Sequence, residues 1–216
     1  MHVMIHACPQ REWYVNDYLV PSLKEQGIDD ITVWMDRERK GNLASCVESF
    51  NECSKRKDET LHLQDDVIIC RDFGKRTRAA PDGLVCGFCV DIFEQTSLCG
   101  RQTIANHMWQ SSFPCIKIPD DLAGEFADWI ASEALGRKDL YKYTKDNKKD
   151  DTLFYIFMRE KHPKMKVTNL VPHLVDHIDY LIGGSVINQW REYPARSCHW
   201  DDENLIEELK KKLASR

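Results

Sequence analysis

The sequence lacks several features that would place it in a common functional class. It contains no run of about eighteen apolar residues, so it predicts no membrane-spanning helix. No Gly-x-Gly-x-x-Gly, Gly-x-x-x-x-Gly-Lys or Gly-x-Ser-x-Gly motif occurs, which excludes sites that depend on the dinucleotide fingerprint, the P-loop or the hydrolase nucleophile elbow. The first residues also lack the basic head and long apolar stretch of a signal peptide, so we expect a cytoplasmic protein.

A disulfide framework is also not indicated. The 9 cysteines are odd in number and scattered through apolar segments, as in proteins of reducing compartments. Cys86 and Cys89 have C-x-x-C spacing, but they lie in an apolar segment, Leu84–Val90, that predicts a buried strand. Residues three apart on a strand point to opposite faces. We therefore expect core thiols here rather than a zinc or redox pair.

The charge gives no overall attraction to nucleic acid or to an anionic membrane. The net charge is −5, and 42% hydrophobic with 30% charged residues is typical of a soluble globular protein. Two local basic runs stand out, Arg71–Arg78 and Lys142–Lys149. Each is interpreted as a solvated loop or as a contact for a phosphate-bearing acceptor.

The order of predicted elements favours an α/β fold. Apolar strands at residues 2–7, 31–35 and 61–67 alternate with segments of helical periodicity at residues 12–26 and 43–53. Such alternation predicts a single-domain, open, mostly parallel sheet flanked by helices. We expect this domain to span residues 1–200, with residues 201–216 forming a C-terminal helix packed on it or extending from it. Further helices are predicted from Pro119-Asp120-Asp121 and from Asp150, and residues 138–149 predict a mobile connection.

Acidic residues follow two of the predicted strands. Asp36 ends the strand at 31–35, and Asp65 and Asp66 end the strand at 61–67. Ligands of open α/β sheets bind outside the carboxyl ends of the strands. Mg²⁺ and Mn²⁺ take oxygen ligands, usually one or two protein carboxylates with substrate phosphates completing the shell. These acids therefore predict either turns, where Asp is common, or a metal site that holds a diphosphate.

Two short motifs resemble one known family. Gln64-Asp65-Asp66-Val67 is similar to the Glu-Asp-Asp-Val form of the Asp-x-Asp signature of small GT-A fold glycosyltransferases. The segment 171–179, Val-Pro-His-Leu-Val-Asp-His-Ile-Asp, resembles the Pro-Ser-Leu-Val-x-His stretch of lipopolysaccharide-type and phage-encoded members. The resemblance spans about residues 2–190. It departs at Gln64, where the family has an acid, and at His173, where it has a small hydroxyl residue.

The resemblance implies a nucleotide-sugar donor, with a UDP-sugar expected, and Mn²⁺ or Mg²⁺ as cofactor. It implies that Asp66 is the direct metal ligand and that Asp65 acts beside it through metal, water or ribose. Asp36 would bind the nucleoside, Arg11 the phosphates or base, and Gln64 the ribose or metal. His177 would complete the metal shell or contact a phosphate.

A transferase that inverts configuration needs a carboxylate to accept the proton of the acceptor hydroxyl. Asp150 and Asp151, at the start of a predicted helix, are the candidates, and Asp151 is preferred because it leads directly into the apolar helix. The simpler interpretation is a helix N-cap.

The acceptor and the reaction stay open at this point. A hydroxymethylated base in phage DNA, acted on in the host cytoplasm, is one expected acceptor, and a glycan or a protein is the other. Paired Asp residues on this edge also suit a metal-dependent nucleotidyltransferase or phosphohydrolase. A further alternative is a non-catalytic nucleotide-binding interaction protein. The sequence does not define an oligomeric state.

Overall fold

A computed structural model describes residues 1–56, 59–88, 102–105, 113–145, 150–170, 173–184 and 204–215. The strands are β1 His2–Ala7, β2 Ile31–Met35, β3 Thr60–Gln64, β4 Val67–Ile69, β5 Val85–Cys86, β6 Gln102–Ala105, β7 Cys115–Ile118, β8 Lys166–Asn169 and β9 Val175–His177. The helices are α1 Glu12–Tyr14, α2 Val20–Glu25, α3 Asn42–Ser54, α4 Phe73–Arg78, α5 Asp120–Ser132, α6 Tyr141–Thr144, α7 Asp150–Lys161 and α8 Asn204–Ala214, with a π-helical segment, Val15–Leu19, joining α1 to α2.

The described residues form an α/β fold with one mixed sheet and a small ribbon. The sheet has seven strands in the order β2-β1-β3-β7-β5-β8-β6, and β4 pairs with β9 in the ribbon. Strands β1, β2, β3, β5 and β8 run in the same direction, whereas β7 and β6 are antiparallel to their neighbours. The prediction of a mostly parallel sheet is therefore confirmed, although the sheet is mixed because β7 and β6 run in reverse.

Alternation along the strands divides the core into two halves. Val3 and Ile5 of β1 face a cluster that includes the α1–α2 segment, α4, the ribbon and α8. Met4 faces a second cluster built on α3, α5 and α7. Successive side chains of a strand point to opposite faces, so β1 contributes to both halves. Leu209 of α8 is buried in the first half, so the C-terminal helix packs on the sheet domain.

The segment predicted to be a mobile connection is folded over its described part. Residues 138–144 form a 3-10 turn, Lys138–Leu140, followed by α6. Leu140 is buried in the second half of the core, which fixes the segment although its sequence shows no apolar period. Tyr143, which is partly buried, packs against the same half of the core, so the described part of this segment has regular structure that its charged sequence did not predict. Residues 146–149 lie outside the described residues.

Helix α4 packs against the end of α2 at a glycine. A Cβ atom built on Gly74 would collide with the backbone carbonyl of Gln26, which cannot rotate away. We expect Gly74→Ala to lower the free energy of unfolding by about 1 to 3 kcal/mol, as overpacking does. Urea unfolding measures the loss. Gly136→Ala is the matched control, because its Cβ would meet no atom within 4 Å, and an equal loss in both variants would contradict this account.

Candidate metal centre

The carboxyl ends of three parallel strands meet at one edge of the sheet. Strand β1 pairs in parallel with β2 on one side and with β3 on the other. Asp36 directly follows β2, and Asp65 directly follows β3. Adjacent strands lie about 5 Å apart, so the acids of β2 and β3 flank the end of β1.

The ribbon brings a distant part of the chain to this edge. After Asp66 the chain continues as β4, which pairs antiparallel with β9 so that Val67 lies opposite His177. The backbone N–H of Ile178 donates to the carbonyl of Asp66 at 2.8 Å. The hydroxyl of Tyr14 donates to the carbonyl of Val67 at 2.9 Å and ties the ribbon to the segment after β1. Strand β9 therefore places His177 beside Asp66.

Asp66, His177 and Asp179 form a compact buried group. Nε2 of His177 lies 3.2 Å from Oδ2 of Asp66, and its Nδ1 lies 3.3 Å from Oδ1 of Asp179. One ligand atom from each residue lies within 4.8 Å of the other two. The three residues are 8%, 5% and 1% exposed. The sequence interpretation missed Asp179, although an acid two residues after a ligand histidine was a signal that could have been used.

Asp65 and Arg11 form the second part of the site. Nη1 of Arg11 donates to Oδ1 of Asp65 at 2.8 Å and to Oδ2 of Asp66 at 2.6 Å. The backbone N–H of Cys8 donates to Oδ2 of Asp65 at 2.7 Å, and Nη2 of Arg11 donates to the carbonyl of Gly184 at 2.9 Å. Both oxygens of Asp65 are thus engaged by the chain itself. Arg11 is 3% exposed and faces carboxylates, not solvent.

The charges of the site shift the pKa values of its members. Burial raises the pKa of Asp66, but the charges of His177 and Arg11 outweigh burial and hold that pKa well below its usual range. Burial lowers the pKa of His177, but Asp66 and Asp179 outweigh it and raise the pKa to about 9. His177 is therefore a cation at neutral pH, held between two carboxylates.

The stability of the metal-free protein should depend on pH through His177. A histidine whose pKa is raised on folding contributes stability that is full below its unfolded pKa of about 6.5 and is lost as pH rises through the folded value. We expect up to about 3 kcal/mol to disappear between pH 6 and pH 10. Urea unfolding across that range, compared with His177→Gln, measures the contribution. An identical pH profile in both proteins would contradict it.

The donor set fits a divalent cation. Oδ1 of Asp66 and Oδ2 of Asp179 are buried and accept no hydrogen bond from the described residues, whereas Oδ1 of Asp179 faces Nδ1 of His177 at 3.3 Å. Unsatisfied buried carboxylate oxygens are costly, and a hard cation with oxygen and imidazole ligands satisfies them. A metal bound here would replace the proton of His177, because an imidazole binds a metal in its neutral form. Of the predicted metal ligands, the structure gathers Asp66 and His177 in this group and leaves Asp65 outside it.

Asp36 and Gln64, two predicted donor-binding residues, lie outside the group of Asp66, His177 and Asp179. The carboxylate of Asp36 accepts hydrogen bonds from the backbone N–H groups of Lys40 and Gly41 at 2.9 and 3.0 Å, which closes the loop after β2. Asp36 also lines a surface cavity of about 470 Å³ beside Trp34. Gln64 is the last residue of β3 and is half-buried.

The two candidate base residues lie at the start of α7. Asp150 is 4% exposed, and burial, followed by the charge of Asp151, raises the pKa of Asp150 to about 7. Asp151 is half-buried, and its Oδ1 accepts a hydrogen bond from the N–H of Thr152 at 2.6 Å. Asp151 is therefore the more accessible carboxylate of the pair.

The first basic run contacts the protein itself. Arg71 pairs with Glu208 at 2.8 Å, Arg76 donates to the carbonyl of His173 at 3.0 Å, and Arg78 reaches the carbonyl of Gly27 at 3.5 Å. In the second run, Lys142 and Lys145 are exposed. Residues 146–149 of that run lie outside the described residues, as does Cys89 of the C-x-x-C pair.

Comparisons with known proteins leave the family open. The chain matches no protein-family model, and no curated protein matches it. Among the described helices, none is both long and apolar enough to cross a bilayer.

Proposed function

We propose that this protein is a GT-A type glycosyltransferase that moves a sugar from a nucleoside-diphosphate donor to a hydroxyl acceptor with the help of Mn²⁺ or Mg²⁺. The observation that carries the proposal is the buried group of Asp66, His177 and Asp179 at the carboxyl edge of the parallel strands. Two carboxylate oxygens of this group, Oδ1 of Asp66 and Oδ2 of Asp179, lack hydrogen-bond partners among the described residues. The resemblance of Gln64-Asp65-Asp66-Val67 to the GT-A signature is the reason for expecting a nucleotide sugar as the donor.

In this proposal Asp66, Asp179 and His177 hold the metal. When bound, the metal neutralises the charge that develops on the leaving nucleoside diphosphate. Asp65 fixes Arg11 through its Oδ1 and fixes the backbone at Cys8 through its Oδ2. It thereby holds the guanidinium beside the carboxylate of Asp66. The sugar–phosphate bond breaks as the acceptor oxygen bonds to the sugar.

The acceptor hydroxyl must lose its proton to a base. Asp151 is assigned this role, because it is the partly exposed carboxylate at the start of α7. A base must first be within hydrogen-bond reach of the proton that it accepts. The contacts of Arg71, Arg76 and Arg78 with their own chain favour a glycan or protein acceptor over hydroxymethylated DNA, because a duplex would have to compete for those cations.

A thermal-unfolding screen tests the donor and the metal together. Nucleotide sugars are added with Mn²⁺, with Mg²⁺ or with a chelator, and a donor at one hundred times its dissociation constant should add about 2.7 kcal/mol of stability. We expect the shift with UDP-sugars to require the metal. Asp121→Asn, at an exposed position of α5, is the charge-matched control for Asp66→Asn. It should respond to metal and donor like the natural sequence.

Product analysis separates the proposal from its alternatives. Slow hydrolysis to a nucleoside diphosphate and free sugar supports the transferase. Release of a sugar phosphate together with a nucleoside monophosphate supports a phosphohydrolase. Release of pyrophosphate from a nucleoside triphosphate, supplied with a sugar phosphate in a separate assay, supports a nucleotidyltransferase. Binding without turnover in any metal would support the non-catalytic nucleotide-binding protein, an outcome consistent with carboxylates that Arg11 already neutralises.

A further inference from the structure

A second group of metal-binding side chains lies on the opposite face of the sheet from α1 and α2. His6 follows Ile5 on β1 and so points toward α3, as Met4 does. There it meets Cys46 of α3 and Asp150 of α7. One ligand atom from each of these three residues lies within 4.8 Å of the other two, and they are 7%, 0% and 4% exposed.

The spacing suits a small tetrahedral cation. Three atoms no more than 4.8 Å apart fit around a centre that lies at most about 2.8 Å from each, and a contraction of about half an ångström gives zinc bond lengths. The donors are one imidazole nitrogen, one sulfur and one carboxylate oxygen. Zinc takes all three, whereas the thiolate disfavours magnesium and manganese.

Two further observations, an unsatisfied carboxylate oxygen and a hydrogen bond to the imidazole, point to a ligand at this position. Oδ2 of Asp150 is buried and accepts no hydrogen bond within the part of the chain that the structure describes. Nε2 of His6 lies 3.0 Å from the hydroxyl of Ser45, an outer contact of the kind that orients metal-binding imidazoles.

We propose that His6, Cys46 and Asp150 bind a zinc ion at a site separate from the Asp66 centre. The ion would join β1, α3 and α7, which pack together in the second half of the core. Because Asp150 is a ligand in this arrangement, Asp151 is left as the acid at the start of α7 that can contact an acceptor. The inference does not depend on the transferase function.

Cobalt titration of the metal-free protein tests the site, because cobalt replaces zinc and reports its own ligands. A cobalt–thiolate bond gives a charge-transfer band in the near ultraviolet that nitrogen and oxygen ligands do not give. We expect one equivalent of Co²⁺ to produce the band, a stoichiometric amount of Zn²⁺ to remove it, and excess Mg²⁺ to leave it unchanged. Absence of the band would overturn the proposal.

Cys46→Ser should abolish the charge-transfer band, with Cys8→Ser and Cys53→Ser as thiol controls that keep it. Cys8 is the important control because it lies beside Asp65 at the first centre, so loss of the band in Cys8→Ser would assign the thiolate to that centre and overturn the proposal. Asp66→Asn should keep the band, because the two sites are expected to bind metal independently.

Asp150→Asn keeps the shape of the side chain and provides the test if Cys46→Ser does not fold. Loss of an outer contact alone weakens metal binding by about 10- to 100-fold, so loss of this ligand should weaken Zn²⁺ binding by at least about tenfold. Asp151→Asn is its neighbouring control. Equal Zn²⁺ affinity in Asp150→Asn and the natural sequence, or equal losses in both variants, would overturn the assignment.

Discussion

Asp66→Asn should abolish metal-dependent turnover of the nucleotide sugar and also destabilise the protein. The strand-end position of Asp66 predicts an accessible carboxylate that contributes little to stability. The structure instead buries it between two cations, with Arg11 at 2.6 Å and His177 at 3.2 Å. Removing one partner of a buried ion pair is strongly destabilising, so we expect a loss of about 3 kcal/mol at pH 7, measured by urea unfolding.

The two effects of Asp66→Asn need separate measurements. Calorimetry measures the affinities for metal and donor, which are then normalised to the amount of folded protein. These affinities report the role of Asp66 as a metal ligand separately from its role in folding. Asp121→Asn, at an exposed position of α5, is the matched control, because it removes the same charge outside the site. Normal manganese-dependent turnover in folded Asp66→Asn would remove Asp66 from the metal site.

Arg11→Met should destabilise the metal-free protein by about 3 to 5 kcal/mol, because it leaves the buried carboxylate of Asp65 without a cation and that of Asp66 with His177 alone. Mn²⁺ should recover more stability in this variant than in the natural sequence, since a divalent cation supplies the missing positive charge. Thermal unfolding with and without Mn²⁺ gives both values.

The control for Arg11→Met is Arg37→Met. Arg37 also pairs with a carboxylate, Glu12 at 2.6 Å, but its side chain is 66% exposed, and exposed pairs contribute little. We expect no measurable loss and no added response to Mn²⁺ in this variant. If Mn²⁺ stabilises Arg11→Met no more than it stabilises Arg37→Met, the Asp66 group does not bind the metal.

The longer helices follow from local sequence, whereas the short helices α4 and α6 were not predicted. The apolar spacing of Leu43, Val47 and Phe50 predicts a helix over 43–53, and α3 spans Asn42–Ser54. The starts of α5 and α7 at Asp120 and Asp150 were also predicted, because acids in the first turn favour a helix N-terminus. These features depend on residues within a few turns of one another, which a single sequence displays directly.

Strand pairing depended on the tertiary structure. The sequence marked 61–67 as one strand, whereas the chain turns at Asp65 and Asp66 and starts a separate strand, β4, at Val67. It gave no sign that β4 would pair with β9, and β6 was not predicted. Nor did it indicate that β7 would run antiparallel between β3 and β5, because strand direction depends on the path of the chain between strands.

The site divides in the same way. Asp65 and Asp66 are adjacent in the chain, so their presence at a strand end could be predicted from sequence. Which of the two meets His177 and Asp179, and which holds Arg11, follows from the register of β4 with β9 and from the loop after β1. His6, Cys46 and Asp150 were likewise brought together only by the packing of α3 and α7 against β1. Contacts between segments far apart in the chain leave no period or spacing in the sequence, so only the folded structure determines them.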